Sequence, residues 1–170
     1  CHVTAVCSGA SASFSRAYGA DAHVDYTQVD FADHATSHGI EYDLVFDCVG
    51  GREVEASAYR SLKKSGAFLT VVGPKQYIGQ EKLSWPAITR VLGHIALRFA
   101  ITRLNGGPKY FFGEKYPRLV VADAMAQLLK HNIRMPVPET IPFANDAVKT
   151  AVEKLLTHRE KGRTVIDFGL

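Results

Sequence analysis

The chain has 170 residues, of which 46% are hydrophobic, and a formal net charge of +3 at neutral pH. This length and composition predict a globular protein with a sizeable core and exclude a disordered chain. The small charge and the lack of dense Lys/Arg runs argue against nucleic acid as a partner, and no apolar stretch reaches the roughly 18 residues that a membrane-spanning helix needs.

Strand-like and helix-like segments alternate through the first half of the chain. Helices are expected after Cys7, ending near Tyr18, and from Glu53 to Lys63, with Gly66 past the end. Residues 27–38 form a polar stretch with no predicted element. This alternation predicts an α/β fold with crossover units and a mostly parallel sheet. The expected strands are HVTAVC (2–7), AHVDY (22–26), a buried strand over 44–48 and AFLTVVG (67–73).

The second half begins with an amphipathic helix over residues 84–104, in which Arg90, His94 and Arg98 recur every fourth position and share one face. The segments expected after it are an extended piece at 109–113, a helix starting after Pro117, a strand at 136–143, a helix from Asn145 to His158 and a strand at 163–168.

Cysteine and histidine spacing argues against a metal site. Cys1, Cys7 and Cys48 lack the paired spacing of a zinc site and are too few for a disulfide framework, so we interpret them as small buried apolar residues in a reducing compartment. The histidines show no metal-ligand pattern such as HExxH.

Two successive predicted strands end in glycine turns, at Gly50–Gly51 and at Gly73. The carboxyl ends of parallel strands are where open sheets bind ligands, and glycine lets a flat ring or a phosphate approach the backbone. A ligand along this rim is one interpretation, and a purely structural turn is the other. We expect Asp47 to accept hydrogen bonds from turn N–H groups rather than to act as an acid or base, because a buried carboxylate requires such partners.

Five blocks make the chain recognisable: HVTAVCS, GADAHVDYTQVDF, YDLVFDCVGG, LKKSGAFLTVVG and KGRTVIDF. In this order they resemble the second half of a medium-chain dehydrogenase/reductase. Within that superfamily they most resemble the zinc-independent quinone oxidoreductase branch, particularly its mitochondrial reticulon-interacting members. The resemblance implies a doubly wound Rossmann-type sheet and an NADPH-dependent oxidoreductase that transfers hydride to a quinone, an enone or a related activated carbonyl compound.

Part of that family pattern is not found in this sequence. No GxGxxG fingerprint occurs, and the chain opens within a strand-like run, so we expect a fragment that lacks the first Rossmann strand, the glycine-rich turn and the catalytic domain. The fragment alone is expected to be inactive. On this interpretation residues 1–135 are a partial NADP-binding domain, and residues 136–170 return to the catalytic domain.

The end of the second Rossmann strand favours NADP(H) as the cofactor. NAD-binding enzymes place an acid there, whereas this chain has Cys7 and Ser8, followed by Ser11 and Arg16. Hydroxyl and guanidinium groups would bind the additional 2′-phosphate. The alternative is that Ser8 caps the next helix and that Arg16 lies on its solvent face.

The resemblance also implies roles for other residues. Tyr26 would hydrogen-bond the adenosine phosphate, or else it is a ring packed at a strand end. Phe111 and Phe112 would wall the substrate pocket or pack in the core, and Arg163 would reach the pyrophosphate. A catalytic proton donor is expected upstream of this chain. The residues implied at the nicotinamide-ribose end are Val49, Gly50, Gly51, Val72 and Gly73.

Two further interpretations remain open. A binding or scaffold protein without turnover would use the basic face of residues 84–104 at an anionic membrane or a partner, or that face is simply solvated. A homodimer would form through exposed strand edges. The location implied by the resemblance is mitochondrial, with the cytoplasm as the alternative. The basic residues around this face are Arg90, Arg98, Arg103, Lys109, Lys115 and Arg118, against the single acid Glu114.

Overall fold

The computed structural model describes residues 1–75, 84–113, 118–134, 136–157 and 161–169. The chain divides into two compact units, Cys1–Lys115 and Tyr116–Leu170. The sequence-based boundary between residues 135 and 136 marks where the chain is expected to return to the catalytic domain, and this boundary stays a prediction.

The first unit alternates strands and helices, as the sequence pattern predicts. A short 3₁₀ turn at Gly9–Ser11 precedes its first helix. Its elements in chain order are β1 (Thr4–Cys7), α1 (Ala12–Ala17), β2 (Ala22–Asp25), α2 (Phe31–Ser37), β3 (Tyr42–Asp47), α3 (Arg52–Ser61), β4 (Leu62–Thr70), α4 (Trp85–Asn105) and β5 (Lys109–Phe112).

The strands of this unit form two parallel sheets in the described part of the chain. β1 pairs with β2, and β4 lies between β3 and β5. The parallel α/β architecture of Rossmann type is therefore confirmed. In the Rossmann order 3-2-1-4-5-6, the present β1 and β3 flank the position of the first strand. The edges of β1 and β3 that would face that position have no strand partner among the described residues.

The core lies between helices α2 and α3 and the two sheets. Its buried members are Val24, Phe31, Ala58, Leu62, Phe68 and Tyr110. The ring of Phe68 lies 5.8 Å from that of Tyr110 and 5.9 Å from that of Tyr59, both tilted. Such contacts add to the stabilisation from apolar burial.

The prediction of a buried strand at residues 44–48 is wrong for one face. Leu44 is 55% exposed and Phe46 58% exposed, whereas Val45 on the opposite face packs against the core. Alternate residues of a strand point to opposite faces, and among the described residues only one face of β3 is covered. Apolar composition alone does not reveal which face has a neighbouring layer.

Two helix predictions need correction. The polar stretch 27–38 contains α2, which Asp30 caps by accepting hydrogen bonds from the N–H groups of Ala32 and Asp33. The available sequence signal was the helical spacing of Phe31, Ala32 and Ala35 directly after a capping Asp, and the helix buries these three residues. The helix predicted to reach Lys63 ends at Ser61, and Gly66 lies within β4 beyond a register shift opposite β3.

The second unit contains α5 (Arg118–Lys130), β6 (Glu139–Pro142), α6 (Asn145–Leu156) and β7 (Thr164–Asp167). β6 and β7 are parallel, and α6 connects them. Phe143 and Phe168 follow the two strands, with their rings 4.7 Å apart, and both side chains are exposed. Few apolar side chains of this unit are buried in the described residues.

Candidate functional site

The turn after β3 is organised by Asp47, which is 4% exposed. Its Oδ1 atom accepts hydrogen bonds from the N–H groups of Val49 and Gly50, both at 2.8 Å. Its Oδ2 atom accepts one from the hydroxyl of Thr70, on the neighbouring strand, at 2.7 Å. The expectation that Asp47 is a structural acceptor is confirmed, because every one of these bonds fixes backbone or neighbouring side-chain geometry.

Thr70 links this turn to the next one. Its Oγ1 atom accepts a hydrogen bond from the N–H of Gly73 at 2.9 Å, and the N–H of Gly51 donates to the carbonyl of Gly73 at 2.9 Å. Sequence reasoning missed Thr70, since only the strand register that pairs it with Asp47 reveals the contact. We name the turns Val49–Gly51 and Val72–Gly73, with Asp47 and Thr70, the glycine rim.

Glycine is required at two positions of the glycine rim. Gly50 and Gly73 have φ angles of +78° and +89°, which side-chain-bearing residues rarely adopt. A Cβ atom at Gly50 would lie 2.5 Å from Cγ1 of Val72, and one at Gly73 would lie 2.7 Å from Cε2 of Phe112. The predicted rim residues are thus brought together at the carboxyl ends of β3 and β4, with Val49 56% exposed beside them.

The second predicted group lies at the carboxyl ends of β1 and β2. The hydroxyl oxygens of Ser8 and Ser11 are 3.4 Å apart, and Ser8 makes no side-chain capping bond although it precedes the 3₁₀ turn. Tyr26, just beyond β2, is 63% exposed. Arg16 lies further along α1, where its Nη2 atom is 3.5 Å from Nδ1 of His23. This placement supports the solvent-face interpretation of Arg16.

Asp25, the last residue of β2, was missed as a member of this second group. Its Oδ2 atom accepts a hydrogen bond from the N–H of Gly9 at 2.8 Å, and its Oδ1 atom accepts from the N–H and the hydroxyl of Thr27 at 2.9 and 2.7 Å. The sequence does contain a signal, because Asp followed two residues later by Thr is typical of a turn in which the carboxylate accepts local hydrogen bonds.

The two predicted substrate-pocket phenylalanines point to opposite faces of β5, since side chains alternate along a strand. Phe112 packs against the hydrophobic core and touches the position of Gly73. Phe111 lines a shallow apolar groove with Phe99 and Thr102. The core-packing alternative therefore applies to Phe112, and a substrate role for either ring stays a prediction.

Arg163 belongs to the second unit, where its N–H donates to the carbonyl of Pro136 at 2.9 Å and its side chain is exposed. Its role at a pyrophosphate stays a prediction. The residues Glu114 and Lys115, which the sequence places near the basic face, lie outside the described residues, and so does the side chain of Arg118.

The face shared by His94 and Arg98 on α4 is directed at α3. Nε2 of His94 lies 2.8 Å from Oε2 of Glu55, and Nε of Arg98 donates to Oε1 of the same carboxylate, which is almost fully buried. Arg98 also stacks over the ring of Tyr59. Burial raises the pKa of nearby Tyr110 to about 12, and the charge of Glu55 acts in the same direction, so this phenol stays protonated at neutral pH.

The interpretation of the cysteines as buried residues is wrong for Cys1 and Cys48, which are exposed, while Cys7 is half-buried. Cys48 continues the open face of Leu44 and Phe46, which explains its exposure. Partial burial and the neighbouring charge of Asp47 raise the pKa of the Cys48 thiol, so it is a poor nucleophile at neutral pH.

The fold and the glycine rim define an α/β protein with Rossmann-like parallel sheets. The family model for zinc-binding dehydrogenases matches residues 18–166. The chain belongs to this family of oxidoreductases, within the medium-chain dehydrogenase/reductases, so the resemblance inferred from the sequence is confirmed.

Individual relatives agree with this assignment. The chain is 32% identical over 172 residues to the mouse (Mus musculus) mitochondrial NAD(P)H oxidoreductase RTN4IP1, covering 98% of this chain and 41% of that protein. The quinone oxidoreductase from Coxiella burnetii has a similar fold, with a TM-score of 0.66 at 21% identity over 97% of this chain and 44% of that one. The mycobacterial protein Rv1454c, solved in complex with NADPH, has a TM-score of 0.60 at 20% identity, covering 97% and 48% of the two chains. The chain thus spans less than half the length of these relatives.

The name of the family refers to a bound zinc ion. No group of three or more His, Cys, Asp or Glu side chains able to hold a metal ion occurs within the described ranges. The described residues therefore do not fit a metal site.

Among the helices that the structure describes, none has the length and apolar character that a membrane span requires.

Proposed function

We propose that this chain forms part of an NADPH-dependent oxidoreductase that transfers hydride to a quinone, an enone or a related activated carbonyl compound. The observation that carries the proposal is the glycine rim. Two backbone turns are tied to each other at the carboxyl ends of adjacent parallel strands, where such sheets bind nucleotides. The relatives support the proposal, because their names include an NAD(P)H oxidoreductase and quinone oxidoreductases.

A bound nicotinamide would supply the hydride chemistry, and the chain would supply position and a bare backbone surface. The absence of a Cβ atom at Gly50 and Gly73 lets the two turns pack closely on Val72 and Phe112. The exposed side chain of Val49 offers an apolar contact beside these turns. Asp47 and Thr70 keep these turns rigid before any ligand arrives, which lowers the entropy that binding must overcome.

The preference for NADPH is supported by the ends of β1 and β2. No acid follows Cys7 on β1, and Ser8, Ser11 and Tyr26 present hydroxyl groups there. We propose that these hydroxyls bind the 2′-phosphate. We also propose a mitochondrial location, which the similarity to the mitochondrial protein RTN4IP1 supports.

The test uses the natural protein that carries this sequence. Binding of NADPH should raise its thermal midpoint, because a ligand at 100 times its Kd stabilises the folded state by about 2.7 kcal/mol. Oxidation of NADPH should require an added quinone. Tyr26→Phe should weaken NADPH binding severalfold and leave NADH binding unchanged, whereas Tyr18→Phe, on the exposed end of α1, should change neither. No shift with either dinucleotide would contradict the proposal.

A second candidate is a scaffold protein without turnover, docked on an anionic membrane through α4. Its support is the set of exposed apolar side chains on this helix, with Trp85 at 80% and Leu104 at 82%. Against it, His94 and Arg98 are occupied by the buried Glu55. Sedimentation with phosphatidylserine vesicles, together with an absence of quinone-dependent NADPH oxidation, would favour this candidate.

A further inference from the structure

Asp25 extends from β2 into the space beyond the end of β1. Cys7 and Asp25 are partners in the strand register, so the turn that follows Cys7 passes directly beside the carboxylate. Oδ2 of Asp25 accepts the N–H of Gly9, and a Cβ atom at position 9 would lie 2.7 Å from that oxygen. A side chain at position 9 would therefore displace the carboxylate from its present place beside the Gly9 N–H.

The second carboxylate oxygen is held just as firmly. Oδ1 accepts hydrogen bonds from the N–H and the hydroxyl of Thr27. The hydrogen bonds from Thr27 lower the pKa of Asp25 below its ordinary value, and the Gly9 N–H and the nearby His23 act in the same direction. Asp25 is therefore an ionised group with a fixed orientation at neutral pH.

This fixed charge lies where the proposed function puts the adenosine ribose. A 2′-phosphate that approached Ser8 or Gly9 would meet a negative charge, and it would find the Gly9 N–H already in use. A ribose 2′-hydroxyl would instead be attracted to Asp25, because it can donate a hydrogen bond to the carboxylate. The cation that could offset the charge, Arg16, lies against His23 instead.

We propose that Asp25 is a specificity-determining residue that reduces the preference for NADPH over NADH by holding a carboxylate at the ends of β1 and β2. The inference rests on the proposed function. Ser8, Ser11 and Tyr26 favour the phosphate, and Asp25 opposes it, so the protein accepts both dinucleotides with a modest ratio of affinities.

The experiment measures the Kd of NADPH and of NADH by isothermal titration calorimetry on the natural protein and on Asp25→Asn. The amide keeps the size of the side chain and an acceptor oxygen, and it removes the charge. The expected result is a severalfold rise in the ratio of NADH Kd to NADPH Kd, chiefly through tighter NADPH binding. Added salt should shrink the difference between variant and parent, because it screens the charge.

Two other variants separate charge from structure. Asp21→Asn is the matched control, because Asp21 accepts the N–H of Val3 at 2.7 Å at the opposite end of β2 and should leave the ratio unchanged. Asp25→Glu keeps the charge on a longer side chain, so the ratio of NADH Kd to NADPH Kd should stay near that of the parent. This variant tests the role of the charge even if Asp25→Asn folds poorly.

The outcomes distinguish the two proposals. Equal changes for both dinucleotides in Asp25→Asn, or the same change in Asp21→Asn, would overturn the role of Asp25 and leave the oxidoreductase proposal standing. Failure of the unaltered protein to bind either dinucleotide would overturn the proposed function and this inference together.

Discussion

Asp47 and Asp25 both end a strand, and both accept hydrogen bonds from the backbone turns beside them, but they differ in solvent access. Asp47 is buried and holds two turns of the three-stranded sheet together. Asp25 lies near the surface, and water can replace it as an acceptor for Gly9 and Thr27. The hydrogen bonds of Asp47 therefore contribute to stability, whereas those of Asp25 contribute little and leave its charge available for ligand discrimination.

The largest effect is expected for Asp47→Ala. The substitution leaves the N–H groups of Val49 and Gly50 and the hydroxyl of Thr70 without their buried acceptor, which should cost about 3 kcal/mol or more. Urea unfolding followed by circular dichroism measures the change. Thr70→Ser keeps the hydroxyl and should cost much less, and an equal loss in both variants would contradict the hydrogen-bond explanation.

A smaller loss is expected for Gly73→Ala. Its φ of +89° and the contact of the new methyl with Phe112 should together cost about 1–3 kcal/mol. Gly93→Ala is the control, because Gly93 lies within α4 with no atom within 4 Å of the added methyl, and it should be neutral or stabilising. Unchanged stability in Gly73→Ala would show that the glycine rim is not sterically restricted.

Asp30 is more exposed than Asp47, and its effect on stability is expected to depend on pH. Partial burial raises its pKa, but hydrogen bonds from Ser57 and from the N–H of Ala32, together with the charge of Arg60, outweigh this and lower the pKa below 3.8. Its contribution is present above about pH 4 and is lost as the pH falls through the depressed value. Asp30→Asn should remove less than about 1 kcal/mol of that acid dependence, since solvent screens the site. Equal pH slopes for variant and parent in urea titrations would contradict this account.

The smallest effect on stability is expected for Asp25→Asn. The free energy of unfolding should change within the error of a urea titration, because the hydrogen bonds that it loses are replaced by water. A destabilisation comparable to that of Asp47→Ala would mean that the two carboxylates have the same role, and the comparison would fail.

The sequence predicted the parts that depend on local chemistry. Alternating segments predicted β1, β3, β4 and α3, and the Asp47 turn was deduced from the need of a buried carboxylate for donors. Thr70 and Asp25 were missed because their contacts depend on which strands are neighbours and in what register. The exposure of Leu44 and Phe46 was also missed, because the apolar composition of a strand does not show which of its two faces another layer covers.

The exposed face of β3 has a practical consequence. Leu44 and Phe46 point outward beside a strand edge that, within the described residues, pairs only with β4 on its other side. Backbone donors and acceptors along such an edge can template a strand from a neighbouring molecule. Concentrated preparations of the chain should therefore precipitate into β-rich assemblies, and a charged residue in place of Phe46 should delay this in turbidity measurements.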